Sequence, residues 1–147
     1  MKSKVLFLCT GNSCRSQMAE GWLRHLGGNR FEAYSAGIEA HGMNPRAIAT
    51  MHAAGVDIRQ QQSEILNPKL LDEMDLLISV CSHADQHCPI IPSTCAKQHW
   101  PFDDPAQAQG SEEEIMQEFQ RVCTQIRQRI EVFLHTSSTT YSDSSIE

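Results

Sequence analysis

A cysteine, five intervening residues, an arginine and a serine make up the stretch Cys9-Thr10-Gly11-Asn12-Ser13-Cys14-Arg15-Ser16. That spacing suits a nucleophilic thiolate set beside a bound oxyanion. The apolar run Val5-Leu6-Phe7-Leu8 ahead of it reads as a buried strand, and Ser16 to Leu23 behind it as the first turns of an amphipathic helix. A loop so placed aims the backbone of Thr10, Gly11, Asn12, Ser13, Cys14 and Arg15 at one point. The helix dipole adds partial positive charge there, which makes a cradle for a tetrahedral anion. Cys9 at its mouth is the expected nucleophile. Arg15 offers a planar fork of donors to the anion, and Ser16 can donate its hydroxyl to the sulfur. The plainer alternative is a buried structural cysteine in a tight turn. The full spacing between strand and helix favours catalysis.

A second cluster is Cys81-Ser82-His83-Ala84-Asp85-Gln86-His87-Cys88. Two Cys and two His are a zinc ligand set, although Cys88 directly follows His87 and adjacent residues seldom reach one tetrahedral metal. The cysteines could simply pack, with the histidines solvated. A redox pair is the reading that uses the position of Cys81 at a strand end like that of Cys9, since two thiols on a polar loop can pass a disulfide outward. Asp104, before Pro105, is a loop carboxylate that can protonate a leaving oxygen or serve as a cap or turn former. Cys123 falls on the buried face of a helix, Cys14 packs behind the cradle, and Cys95 opens a strand. His25, His41, His52, His99 and His135 have no ligand spacing.

The elements that must position these groups follow from periodicity. A helix is expected from Arg15 to Leu26, with Met18, Ala19, Trp22, Leu23 and Leu26 on one face and Gly27-Gly28 as its stop. Glu32 to Gly37 reads as a strand, and Asn44-Pro45 opens a helix with Ala47, Ile48 and Met51 inward. A short helical segment lies near Asn67 to Leu71, a central strand over Asp75 to Cys81, and a strand over Lys97 to Trp100. The stretches from Ser82 to Ser93 and from Trp100 to Pro105 read as loops. Ser111 and Glu114 form a capping box for a last helix with Ile115, Phe119, Val122, Cys123, Ile126, Ile130 and Phe133 inward. Strands alternating with helices imply an α/β fold, a parallel sheet flanked by helices with ligands at the carboxyl ends of its strands.

The chain has 147 residues, which suits a single domain over 1–135 and a Ser/Thr-rich tail over 136–147 expected to be disordered. Its 12 basic and 18 acidic residues give a net charge of −6, which argues against nucleic acid or an anionic membrane as partner. The apolar run after Lys4 is too short for a signal peptide, and no stretch approaches membrane-spanning length. A cytoplasmic location is expected, where six cysteines point to reactive or metal-binding groups rather than a static disulfide framework.

With these residues in view, the sequence resembles the thioredoxin-coupled arsenate reductases, which share the fold of the low-molecular-weight protein tyrosine phosphatases. The resemblance covers residues 3 to 135. It rests on Cys9 to Trp22, on Tyr34-Ser35-Ala36-Gly37-Ile38-Glu39, on the spacing of Cys81 and Cys88, on Cys88-Pro89-Ile90 and on His99-Trp100-Pro101-Phe102-Asp103-Asp104-Pro105. It implies a three-layer architecture with a four-stranded parallel sheet. It implies reduction of arsenate to arsenite, with phosphate and sulfate as mimics. Cys9 would attack arsenic, Asp104 would protonate the departing oxygen, and Cys81 and then Cys88 would resolve the adduct. Thioredoxin would reset the protein, with no organic cofactor and a monomeric chain. Some members bind potassium at positions matching Asn12, Glu20, Ser35 and Glu64, where Glu64 stands in place of an aspartate. Weak phosphatase activity is expected from the shared loop. A true phosphatase using Cys9, Arg15 and Asp104 is the alternative and has no use for Cys81 and Cys88. A non-enzymatic zinc or oxyanion sensor using Cys81, His83, His87 and Cys88 is a third.

Overall fold

The computed structural model describes residues 2–137. Four strands, β1 (Ser3–Cys9), β2 (Phe31–Gly37), β3 (Leu76–Ser79) and β4 (Ala96–His99), form one sheet in the order β2-β1-β3-β4. Every pairing is parallel. The helices are α1 (Arg15–Gly27), α2 (Pro45–Ala53), α3 (Pro68–Asp72), α4 (Ser82–Gln86) and α5 (Glu112–Ser137). They flank the sheet, with α1, α2 and α5 packed together and α4 against β1 and β3. Among the described residues no helix is long and apolar enough to cross a membrane.

Because β1 and β3 are internal, they carry continuous apolar runs rather than alternation. Val5, Leu6, Phe7 and Leu8 are all fully buried, as are Leu77 and Ile78. Leu8 pairs with Ser79, and Ser79 with His99, so β1, β3 and β4 end level with one another. Backbone bonds carry the alignment past the strand ends: Val80 N–H donates to Leu8 O at 2.9 Å, and Phe102 N–H to Val80 O at 3.2 Å. The segments bearing Cys9, Cys81 and Asp104 therefore leave the sheet at the same edge.

The caps expected at Asn44 and Ser111 are present, and Asn67 adds one that was not expected. Asn44 Oδ1 accepts from Arg46 and Ala47 N–H, and Asn67 Oδ1 from Leu70 N–H. In the capping box, Ser111 N–H donates to Glu114 Oε1 at 2.8 Å and Glu114 N–H to Ser111 Oγ at 3.1 Å. The inward faces of α2 and α5 are as expected except that Ile48 and Ile115 are only half-buried.

Several expectations need correction. The stretch from Ser82 is not all loop, since α4 occupies Ser82–Gln86. Cys81 caps it from extended backbone, its Sγ accepting from Ala84 N–H at 3.4 Å, and Ala84 is fully buried. A polar composition concealed one helical turn and a single anchor. β3 is shorter than its apolar run, and Trp100 lies just past β4 rather than in it. It is nonetheless buried, its ring packing on Phe7 and Phe133. Cys95 precedes β4 rather than opening it. α1 is buried on more than one face, because Ser16, Gln17 and Glu20 are as inaccessible as its apolar stripe. The tail does not begin at Thr136: α5 runs on to Ser137, with Thr136 Oγ1 donating to Val132 O at 2.9 Å. The rest of that expected tail, 138–147, lies outside the described residues.

Candidate active site

The loop from Cys9 to Arg15 crosses the end of β2, where Gly37 leaves room for it. A Cβ at Gly37 would stand 2.8 Å from Asn12 N and 2.9 Å from Thr10 O. Asn12 turns the chain with φ of 49°, the left-handed region that asparagine tolerates better than most residues. Its side chain then points inward and ties three segments together. Asn12 Nδ2 donates to Ser16 Oγ at 2.9 Å, while Asn12 Oδ1 accepts from Glu64 N–H at 2.7 Å. Gln17 Nε2 donates to Asn12 O and Gln62 O. Thr10, Gly11, Ser13 and Cys14 border the cavity, whereas the buried Asn12 side chain is the keystone that holds the loop's backbone in its turn.

Cys9 Sγ lies 3.0 Å from Ser16 Oγ. Since Ser16 Oγ already accepts from Asn12, its own proton is free to point at the sulfur, which suits a thiolate. No side chain caps the start of α1, so its first N–H groups stay available to an anion. Arg15 reaches over the cavity, donating to Phe102 O at 2.9 Å and standing 3.5 Å from Asp104 Oδ2. Asp104 fills the expected capping role and is placed where its carboxyl faces the cavity. Its Oδ1 caps the 3₁₀ turn Pro105–Gln107 by accepting from Ala106 N–H at 3.0 Å, and its carboxylate also lines the cavity.

Cys81 lines the same cavity, which measures about 660 Å³. Thr10 Oγ1 stands between the two cysteine segments, 3.3 Å from Cys81 Sγ and 3.0 Å from His83 Nδ1. Cys14 borders the cavity but is buried, and desolvation, followed by the Asp104 charge, raises its pKa and keeps it a thiol. All six cysteines are free. Cys88 sits apart from the cavity, half-buried beyond α4, and burial raises its pKa against the opposing pull of Lys97. A helix rises about 1.5 Å per residue, whereas a disulfide needs Cα atoms within about 4.4–6.8 Å. The five residues of α4 stand between the two thiols.

Among the described residues no three His, Cys, Asp or Glu side chains converge as for a metal ion. His83 faces Thr10 instead, its ring stacked on that of His87 at 4.2 Å. The positions of the potassium resemblance do come together, but with protein partners. Ser35 Oγ donates to Glu20 Oε1 at 2.6 Å, Arg24 forms an ion pair with Glu20 Oε2, and the Asn12 oxygen is taken by the Glu64 backbone. Burial pushes the Glu20 carboxyl up, while Ser35 and Arg24 pull it down. Arg24 already supplies the positive charge, and the Glu64 side chain is exposed. As arranged, this donor set does not fit a bound cation.

The sequence reading missed the Thr10–His83 link and the role of His41, whose ring packs over Gly11 so closely that a Cβ there would clash with it. It also missed Ser63, whose hydroxyl donates to Gly11 O at 3.2 Å. No local pattern signals these beforehand, because each joins segments distant in sequence.

The family model described as low molecular weight phosphotyrosine protein phosphatase matches residues 4–141. An arsenate reductase of Bacillus licheniformis is 51% identical over 135 residues, covering 92% of this chain and 97% of that protein. An arsenate reductase of Bacillus subtilis is 49% identical over 137 residues, covering 92% and 99%. A solved structure of an arsenate reductase in the phosphate binding state superposes with a TM-score of 0.72 at 33% identity, covering 92% and 98%.

Proposed function

We propose that this chain, which belongs to the low molecular weight phosphotyrosine protein phosphatase family, reduces arsenate to arsenite through Cys9, Cys81 and Cys88. The observation that carries the reading is Cys81 on the cavity of Cys9 and Arg15, linked to the loop through Thr10. A phosphatase needs no second thiol there. The names of the relatives at about half identity point the same way.

Arsenate enters the cradle against Arg15 and the α1 N-terminus, as phosphate or sulfate would. Cys9 Sγ attacks arsenic, and Asp104 gives a proton to the departing oxygen, which leaves as water. Cys81 then attacks Cys9 Sγ. The sulfur–arsenic bond breaks with its electron pair left on arsenic, so arsenic(V) becomes arsenic(III) and the two sulfurs become a disulfide. Cys88 attacks Cys81 in turn, Cys9 leaves as thiolate, and a Cys81–Cys88 disulfide remains. Thioredoxin, as a dithiol donor, reduces it. Support for an external reductant at this end is the half-buried Cys88 and, two residues on, Ile90 at 98% exposure. Six free thiols fit a reducing, cytoplasmic setting.

Arsenate-dependent NADPH oxidation in the presence of thioredoxin and its reductase tests the reading. The protein should turn over steadily, and Cys88→Ser should stop after about one equivalent of arsenite per chain. Absence of turnover together with aryl phosphate hydrolysis would establish the phosphatase alternative through Cys9, Arg15 and Asp104. Slow phosphate hydrolysis beside arsenate turnover is expected of the shared cradle.

A further inference from the structure

We infer that His83 takes the proton of Cys81 through the Thr10 hydroxyl and so releases the thiolate for the second displacement. The inference rests on the three-thiol reading above and adds to it a group that acts through Thr10. Thr10 Oγ1 lies 3.3 Å from Cys81 Sγ and 3.0 Å from His83 Nδ1. A hydroxyl has one proton to donate and lone pairs to accept with, so it can serve both neighbours at once. With Nδ1 unprotonated, Cys81 S–H donates to Thr10 and Thr10 donates to His83. When one proton has crossed, the chain points the other way: His83 Nδ1–H donates to Thr10, and Thr10 donates to the Cys81 thiolate. The same sulfur also accepts from Ala84 N–H at 3.4 Å.

The surroundings suit that task. Cys81 is buried at 4% exposure, whereas His83 is exposed, so a proton handed to the ring can pass on to bulk water. The His83 ring is held by stacking on His87, whose Nδ1 donates to His83 O at 2.8 Å. The charged or titratable groups that share the space with His83 are His87 on α4, Cys9 and Arg15 of the cradle, His41, Asp103 and Asp104. Imidazole is the side chain that changes charge near neutrality, which lets it accept and later return a proton in each cycle. Chemically, Cys81 forms its bond to Cys9 Sγ, the sulfur–arsenic pair goes to arsenic, and the thiol proton rests on His83 until bulk water takes it.

The test uses the Cys88→Ser protein, which stops at the Cys9–Cys81 disulfide, mixed with arsenate and no reductant. Disulfide formation is followed by acid quench, alkylation and mass spectrometry from about pH 5.5 to 9, a range spanning imidazole and thiol titration. Aryl phosphate hydrolysis on the same preparations reports the Cys9 step, which precedes any need for Cys81. Adding His83→Gln should slow disulfide formation by about 100-fold or more at neutral pH and move the rise of its pH profile upward. Thr10→Val should give the same slowing with His83 in place, and free imidazole should restore speed to His83→Ala. An unmoved profile in His83→Gln, or equal loss of disulfide formation and phosphate hydrolysis, overturns the inference. If the parent itself hydrolyses aryl phosphate but forms no disulfide with arsenate, the reductase reading fails instead, which is a separate and recognisable result.

Discussion

The two chemical segments of this molecule are built in opposite ways. From Cys9 to Gln17 the chain is locked: Asn12, Ser16 and Gln17 are fully buried, and each bonds to another part of the site. From Ser82 to Cys88 it is lightly held, with Ala84 the one buried side chain and Ser82, His83, Gln86 and His87 exposed. The difference follows from what each must do. A cradle for an oxyanion works by holding its donors in place before the anion arrives. A thiol that must carry a disulfide from the cavity to a reductant has to travel, so the chain carrying it must be cheap to unfold. The light hold on α4 is specific nonetheless. Asp85 accepts from Ser79 Oγ at 2.9 Å and pairs with Lys97 Nζ at 2.8 Å, fastening α4 to β3 and β4.

The contrast can be broken most severely at its rigid end. Asn12→Ala should leave Ser16 Oγ and Glu64 N–H without their partner and place an alanine at positive φ, together costing about 2 to 4 kcal/mol of stability. Denaturant unfolding should show that loss, and arsenate reduction and aryl phosphate hydrolysis should fall together, since both use the cradle. Wild-type stability would mean that the loop is not held through Asn12.

A smaller effect is expected at the labile end. Asp85→Asn should speed amide hydrogen exchange across 82–87 several-fold while the exchange of α1 stays unchanged. The same latch gives a pH dependence. Lys97 first, and Ser79 next, hold the Asp85 carboxyl below the usual carboxylate range. Its fastening is therefore complete above the unfolded value of about 3.9 and is lost as pH falls through the lower folded value. Protection of α4 that is flat from neutrality to about pH 5 and drops only in stronger acid is the expected profile. A drop near neutrality would show that the latch does not rest on the Asp85 carboxylate.

The smallest expected effect concerns cations. With Arg24 already paired to Glu20, exchanging KCl for NaCl at constant ionic strength should leave both the melting temperature and arsenate turnover unchanged. A rise in either with potassium would show that Arg24 yields its place.

How much was legible beforehand divides along the same line. The Cys9–Ser16 spacing, the apolar run before it and the caps at Asn44 and Ser111 are local signals, and local bonds make them. α4 was hidden because a five-residue helix with one buried position leaves no periodicity to read. The end of α5 was misplaced because Thr136 looks like a tail residue but bonds back to Val132 as a helical one. The bracing role of the Asn12 side chain was not legible, because a type of residue does not disclose which way its side chain turns.

The sequence by itself determined that a cysteine and an arginine would flank an anion cradle between a strand and a helix, because that geometry is made within a dozen residues of chain. It also determined that the strands would be parallel, since helical segments must carry the chain back between them. Only the tertiary structure decided that Cys81 would share the cavity of Cys9, that Cys88 would stand outside it, and that Thr10 would join Cys81 to His83. Those relations depend on β1, β3 and β4 ending level, a matter of strand register across long sequence separations, which no local pattern encodes.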